Sequence, residues 1–126
     1  MLKTLLAGTL ALTAIVAGQP ASAQGGQCFL VTQWEGWKAP NDHTILISVR
    51  PHQIYRLDLA GGCPELTWPG ARLISRDRVG AGSICSPLDF DLKVSIEGSG
   101  ATACIVNRMT LLSPDEAARI PPHLRP

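Results

Sequence analysis

Apolar residues at every second position, interrupted by turn formers about every ten positions, constrain this chain more than any other feature of its sequence. Segment 43–50 sets Ile45, Ile47 and Val49 against Thr44, Leu46, Ser48 and Arg50, and segment 53–59 sets Tyr55, Leu57 and Leu59 against Arg56 and Asp58. A period of two sends alternate side chains to opposite faces of an extended strand, so each segment reads as a strand with one buried face. Pro51-His52 breaks the chain between them, and the pair reads as a hairpin. Segment 89–97 repeats the pattern with Leu92, Val94 and Ile96 inward, and Gly98-Ser99-Gly100 turns it back into a last strand over 102–109. Ahead of the first hairpin, 28–34 reads as a strand containing Phe29, Leu30 and Val31 that stops at Glu35-Gly36. Residues 38–42 then read as a turn-rich connection. Segment 65–88 is the least regular, with breaks at Trp68-Pro69-Gly70 and Gly80-Ala81-Gly82 and room for short strands at 72–75 and 83–85. The fold class is therefore mainly β, a small antiparallel sheet or partly closed barrel. Ser113-Pro114-Asp115-Glu116 carries the signature of a capping box and starts a short C-terminal helix running to about Ile120. Pro121-Pro122 ends it, and 123–126 read as a frayed tail.

The first 23 residues have the three parts of a secretory leader: Lys3, an apolar stretch over 5–16, and the small-residue end Ala21-Ser22-Ala23. The apolar stretch is about a dozen residues, short of the roughly 20 that a spanning helix needs. No cysteine adjoins the cleavage point and no arginine pair precedes it, so neither a lipid anchor nor a preloaded cofactor is expected. The expected organisation is a cleaved signal peptide at 1–23, an antiparallel β-domain at 24–112, and a helix and tail at 113–126. Of the 126 residues, 103 remain after cleavage, carrying ten basic and ten acidic side chains. That balance offers no electrostatic footprint for nucleic acid or an anionic membrane. A periplasmic or secreted location is the expected compartment.

All four cysteines, Cys28, Cys63, Cys85 and Cys104, follow the leader. An even number in an exported domain of this size signals two disulfides that supplement a modest core. Three connectivities are open. Placing Cys28 in the first strand and Cys104 in the last favours Cys28–Cys104 with Cys63–Cys85. The spacings of 35, 22 and 19 residues lack the close ligand pairs of a zinc module and the Cys-x-x-Cys of a redox site, so no metal is expected.

Taken in order, these features resemble an uncharacterised family of small exported four-cysteine bacterial proteins, domain of unknown function 6491. The matching elements are Cys28-Phe29, Gly36-Trp37, the hairpin sequence Tyr-Arg-Leu-Asp-Leu at 55–59, and Cys63-Pro64-Glu65-Leu66. They continue with Cys85, Cys104 and Leu-Ser-Pro-Asp-Glu at 112–116. Where such sequences often read Cys-x-Gly-Asp, this chain has Cys85-Ser86-Pro87-Leu88-Asp89. The resemblance implies the fold and the compartment and carries no activity.

Candidate chemistry is sparse. Asp42-His43 could supply an acid and a base for a small hydrolase or isomerase, although neighbours in a strand diverge, so a turn aspartate beside a surface histidine is the plainer reading. His52 and His123 fall in a turn and the tail. Ser48, Ser75, Ser83 and Ser86 stand in no nucleophile motif. Asp89 and Asp91 would share a strand face and could pair or hold calcium weakly, yet acids commonly dress sheet edges. Trp34 reads as core. Trp37 and Trp68 are candidate anchors for a partner, together with a basic cluster at Arg72, Arg76 and Arg78. The expected function is a non-catalytic binding or structural module with an envelope partner or ligand, needing no cofactor. The other readings are the His43 enzyme and a carrier holding a small apolar ligand among Ile45, Ile47, Tyr55, Leu57 and Val94.

Overall fold

The structure, a computed structural model, describes residues 28–77, 80 and 82–126. The expected leader at 1–23 lies outside the described residues. Among the described residues eight strands form: β1 (Phe29–Leu30), β2 (Trp34–Asn41), β3 (Thr44–Val49), β4 (Gln53–Ala60), β5 (Arg72–Asp77), β6 (Ser83–Ile84), β7 (Phe90–Ser95) and β8 (Ala101–Leu111). Six of them make one antiparallel sheet in the order β2-β3-β4-β8-β7-β5, curled into a half-barrel, while β1 and β6 pair as a separate ribbon. The described residues are thus mostly β with one short α-helix, α1 (Pro114–Ala118).

The concave face is the core. Ile45, Ile47 and Val49 of β3, Tyr55, Leu57 and Leu59 of β4, and Leu92 and Val94 of β7 are all buried, as the alternation requires. Phe29 from the ribbon lies across the mouth of the half-barrel, its ring 5.0 Å from Tyr55 and 6.3 Å from Phe90. Strand β8 buries Cys104 and Val106, then Met109 and Leu111 pack against the core after a change of phase. Asp58 faces Arg108 while Leu59 faces Val106, so Asn107 is an extra residue on β8. This bulge shifts the alternation by one and keeps both halves of a long strand facing inward.

The first third of the chain departs from the sequence expectation. The strand expected over 28–34 is only β1, followed by a 3-10 turn at Val31–Gln33, in which the backbone N–H of Leu30 donates to Oε1 of Gln33. The stretch 38–41, expected as a connection, is the end of β2. Pro40 is tolerated there because β2 is an edge strand and one side of it needs no ladder donor. The hairpin over β3 and β4 forms with Val49 opposite Gln53, and the β7–β8 hairpin turns through Gly98 and Gly100, both at positive φ.

Both disulfides form, with a connectivity other than the favoured one: Cys28 bonds Cys85 and Cys63 bonds Cys104. Strand pairing explains the correction. Strand β1 pairs with β6, Phe29 opposite Ile84, which brings Cys28 to Cys85. Strand β4 pairs with β8, Ala60 opposite Ile105, which carries the Cys63 that follows it to Cys104.

The C-terminal box forms as expected: Ser113 Oγ accepts from Glu116 N at 3.2 Å, and Glu116 Oε1 accepts from Ser113 N at 3.1 Å. The helix stops at Ala118, short of Ile120, and Pro122–Leu124 form a 3-10 turn where a frayed tail was expected. Arg125 reaches back to donate to the carbonyls of Ile120 and Ala118. Ile120 is buried, and with Leu112 it lines a groove beside Leu46, which the alternation had placed on the outer face. The segment after β8 therefore covers part of the convex face.

Candidate functional site

Among the described residues strand β5 ends the sheet, pairing with β7 on one side and with no strand on the other. Its alternation divides the side chains sharply: Leu73, Ser75 and Asp77 are half-buried, while Arg72, Ile74 and Arg76 are exposed. Ile74 retains 41% of its surface to solvent between the two arginines. Neither arginine makes an ion pair among the described residues. Trp68, 52% exposed, lies just ahead of the strand, held by a turn in which Ala71 N donates to its carbonyl at 3.2 Å. Arg78 lies outside the described residues.

The opposite edge of the half-barrel is β2, and the two edges share a groove of about 270 Å³ lined by Val31, Trp34, Glu35, Gly36, Trp37, Leu73 and Ser75. Trp34 donates its indole N–H to the carbonyl of Gly36 at 3.0 Å and meets Phe90 edge-on at 6.4 Å. Trp34 and Trp37 are both half-buried against the core. The expected anchors are accordingly split: Trp37 belongs to the groove, Arg72 and Arg76 to the outer face of β5, and Trp68 to the approach. Ser75 Oγ is shielded from solvent and has no hydrogen-bond partner.

Asp42 and His43 do meet, His43 Nε2 lying 3.3 Å from Asp42 Oδ1. The expected divergence fails because the two occupy the turn between β2 and β3 rather than a strand. Asn41 Oδ1 accepts from His43 N at 2.8 Å, and the main chain of the pair binds Leu59 N and Cys63 N, each at 2.8 Å. The His43 side chain is 62% exposed, an open hairpin tip with little of the enclosure that acid–base catalysis uses.

Asp89 and Asp91 do not share a strand face, because Asp89 sits in the 3-10 turn at Pro87–Asp89. Its carboxylate accepts from Cys85 N at 2.8 Å and Ser86 N at 3.0 Å. These bonds, that from Cys85 first, hold its pKa below the usual carboxylate value. No group of three or more potential metal ligands occurs among the described residues. Ile45, Ile47, Tyr55, Leu57 and Val94, expected to line a ligand cavity in the carrier reading, are each at most 1% exposed within one packed cluster.

Sequence reasoning passed over Ile74, although the alternation of β5 puts it on one face with Arg72 and Arg76. It also passed over Leu88 and Ile105, which are 78% and 55% exposed and line a shallow groove of about 90 Å³. No local pattern marks those two; their proximity comes from the turn at Pro87–Asp89 lying beside β8.

With the fold and its open edge in view, comparison with known proteins is decisive on one point: the model of a family of unknown function, DUF6491, matches residues 1–125. The chain belongs to that family. No curated protein and no solved structure matched it. For this DUF6491 member the four cysteines form two disulfides, a state consistent with an oxidising compartment. Among the described residues no helix is long and apolar enough to cross a membrane.

Proposed function

We propose that the chain is an exported bacterial envelope protein, periplasmic or secreted, that acts as a non-catalytic binding module through β5 and the Trp68 turn ahead of it. One observation carries the reading: an unpaired edge strand presents Arg72, Ile74 and Arg76 together, with Trp68 nearby. Aromatic and arginine side chains are the commonest anchors of protein contacts, and two guanidiniums without an ion pair among the described residues stand beside exposed apolar surface. The two disulfides and the leader-like residues 1–23 support the compartment.

The test is crosslinking in cells followed by recovery of the tagged mature protein from the envelope, wild type against Trp68→Ala/Arg72→Ala. Both side chains are exposed, so the variant is expected to keep the wild-type circular dichroism spectrum. The reading predicts a partner enriched by the wild type and largely lost from the folded variant. Equal recovery by both proteins, or no enriched partner, contradicts it.

A further inference from the structure

The β5 surface belongs to a strand whose ladder is half empty, and this says what form a partner takes. Among the described residues, none of the backbone hydrogen bonds made outside the strand ladders involves Arg72–Asp77. Across the groove, β2 likewise has no second neighbouring strand among the described residues. A row of free N–H and C=O groups is matched best by another extended backbone, because only that repeats donors and acceptors at the same interval. The groove between the two edges is lined by both strands and contains the unpartnered Ser75 hydroxyl.

Side-chain charge narrows the occupant. A strand alongside β5 places alternate residues next to Arg72, Ile74 and Arg76. A second copy of β5, paired antiparallel about Ile74, would set Arg72 of each copy against Arg76 of the other, and like charges directly opposite are destabilising. A strand with acid, apolar and acid side chains at positions i, i+2 and i+4 meets all three residues favourably. We propose that this chain binds its partner by strand addition at the β5 edge of the seam, recognising an extended acidic peptide segment. The proposal deepens the binding-module reading and rests on it.

The probe is the capped peptide acetyl-Thr-Glu-Thr-Val-Thr-Glu-Thr-amide, whose symmetry serves either strand direction, titrated into the isotope-labelled, oxidised mature protein. The expected result is amide shift changes concentrated in β5 and spreading across the groove to β2. A counterpart with Lys for both Glu residues should bind roughly tenfold more weakly, as expected from exchanging two favourable cross-strand pairs for two unfavourable ones. Arg72→Glu/Arg76→Glu should invert that preference, and peptides N-methylated at alternate residues should lose binding in one of the two phases. Shift changes away from β5, equal affinity for the acidic and basic peptides, or full binding by both N-methylated peptides would overturn strand addition. If the envelope partner is lost with Trp68→Ala/Arg72→Ala while the acidic peptide leaves β5 unperturbed, strand addition fails and the binding module stands.

Discussion

Tyr55 is the chain's only tyrosine and one of its most deeply buried side chains, at 1% exposure. Burial disfavours the phenolate and pushes its pKa above the usual value. A raised acid favours folding fully while both states are protonated, so this contribution is present below about pH 10 and is lost as pH rises through the folded value. Absorbance of the lone phenolate should therefore titrate above free tyrosine, and at that alkaline end the fold should weaken. A midpoint at the free value in folded protein would count against a buried ring. Asp89 has the opposite sign. Its depressed pKa stabilises the fold above about pH 4 and the contribution disappears as acid protonates it, and Glu116 in its capping box behaves likewise. Thermal melts between pH 2 and 7 should show a shallower acid dependence for Asp89→Asn than for the wild type, and a lower melting temperature at neutral pH for Asp89→Ala. Parallel slopes would mean that the carboxylate does not cap Cys85 and Ser86. At this scale the buried face of β3 and β4 was legible from alternation. The Asp42–His43 contact was not, because it depends on which two residues form the turn.

Elements explain where legibility stopped. The strands of the two hairpins and the capping box at 113–116 follow from local patterns. The cysteine pairing depends on which strand lies beside which, and a two-residue strand such as β1 has too little periodicity to announce β6 as its partner. Peptide mapping of the oxidised protein should recover Cys28 linked to Cys85 and Cys63 linked to Cys104, and a link from Cys28 to Cys104 would refute the ribbon. Cys28 and Cys85 are exposed, whereas Cys63 and Cys104 are buried. A native disulfide in a small secreted domain contributes about 2 to 5 kcal/mol. Replacing the first pair by serine should thus lower the melting temperature while keeping the sheet's spectrum, and replacing the buried pair by serine should cost more, since two hydroxyls enter the core. The tail was not legible for a similar reason: two prolines look like an end, but Arg125 ties the tail back to the carbonyls of Ile120 and Ala118.

On the scale of the whole molecule, a half-barrel is closed at its mouth by Phe29 and left open along the β2–β5 seam. Phe29→Ala should cost about 3 to 5 kcal/mol, the usual range for emptying a phenylalanine site in a packed core. Chemical denaturation reads it, and a loss under 1 kcal/mol would mean that the ribbon does not seal the core. The expected partly closed barrel was readable from strand count and alternation. The seam was not, because it arises from the order in which β5 joins β7 rather than from any segment alone. Partner binding requires that seam to be free. Amide hydrogen exchange along Arg72–Asp77, in isolated protein and with the acidic peptide, tests this most directly. Fast exchange is expected at alternate amides, those turned away from β7, and slow exchange at the same amides with peptide present. Uniform protection along β5 in the isolated monomer, or an edge that stays fast at saturating peptide, would contradict it.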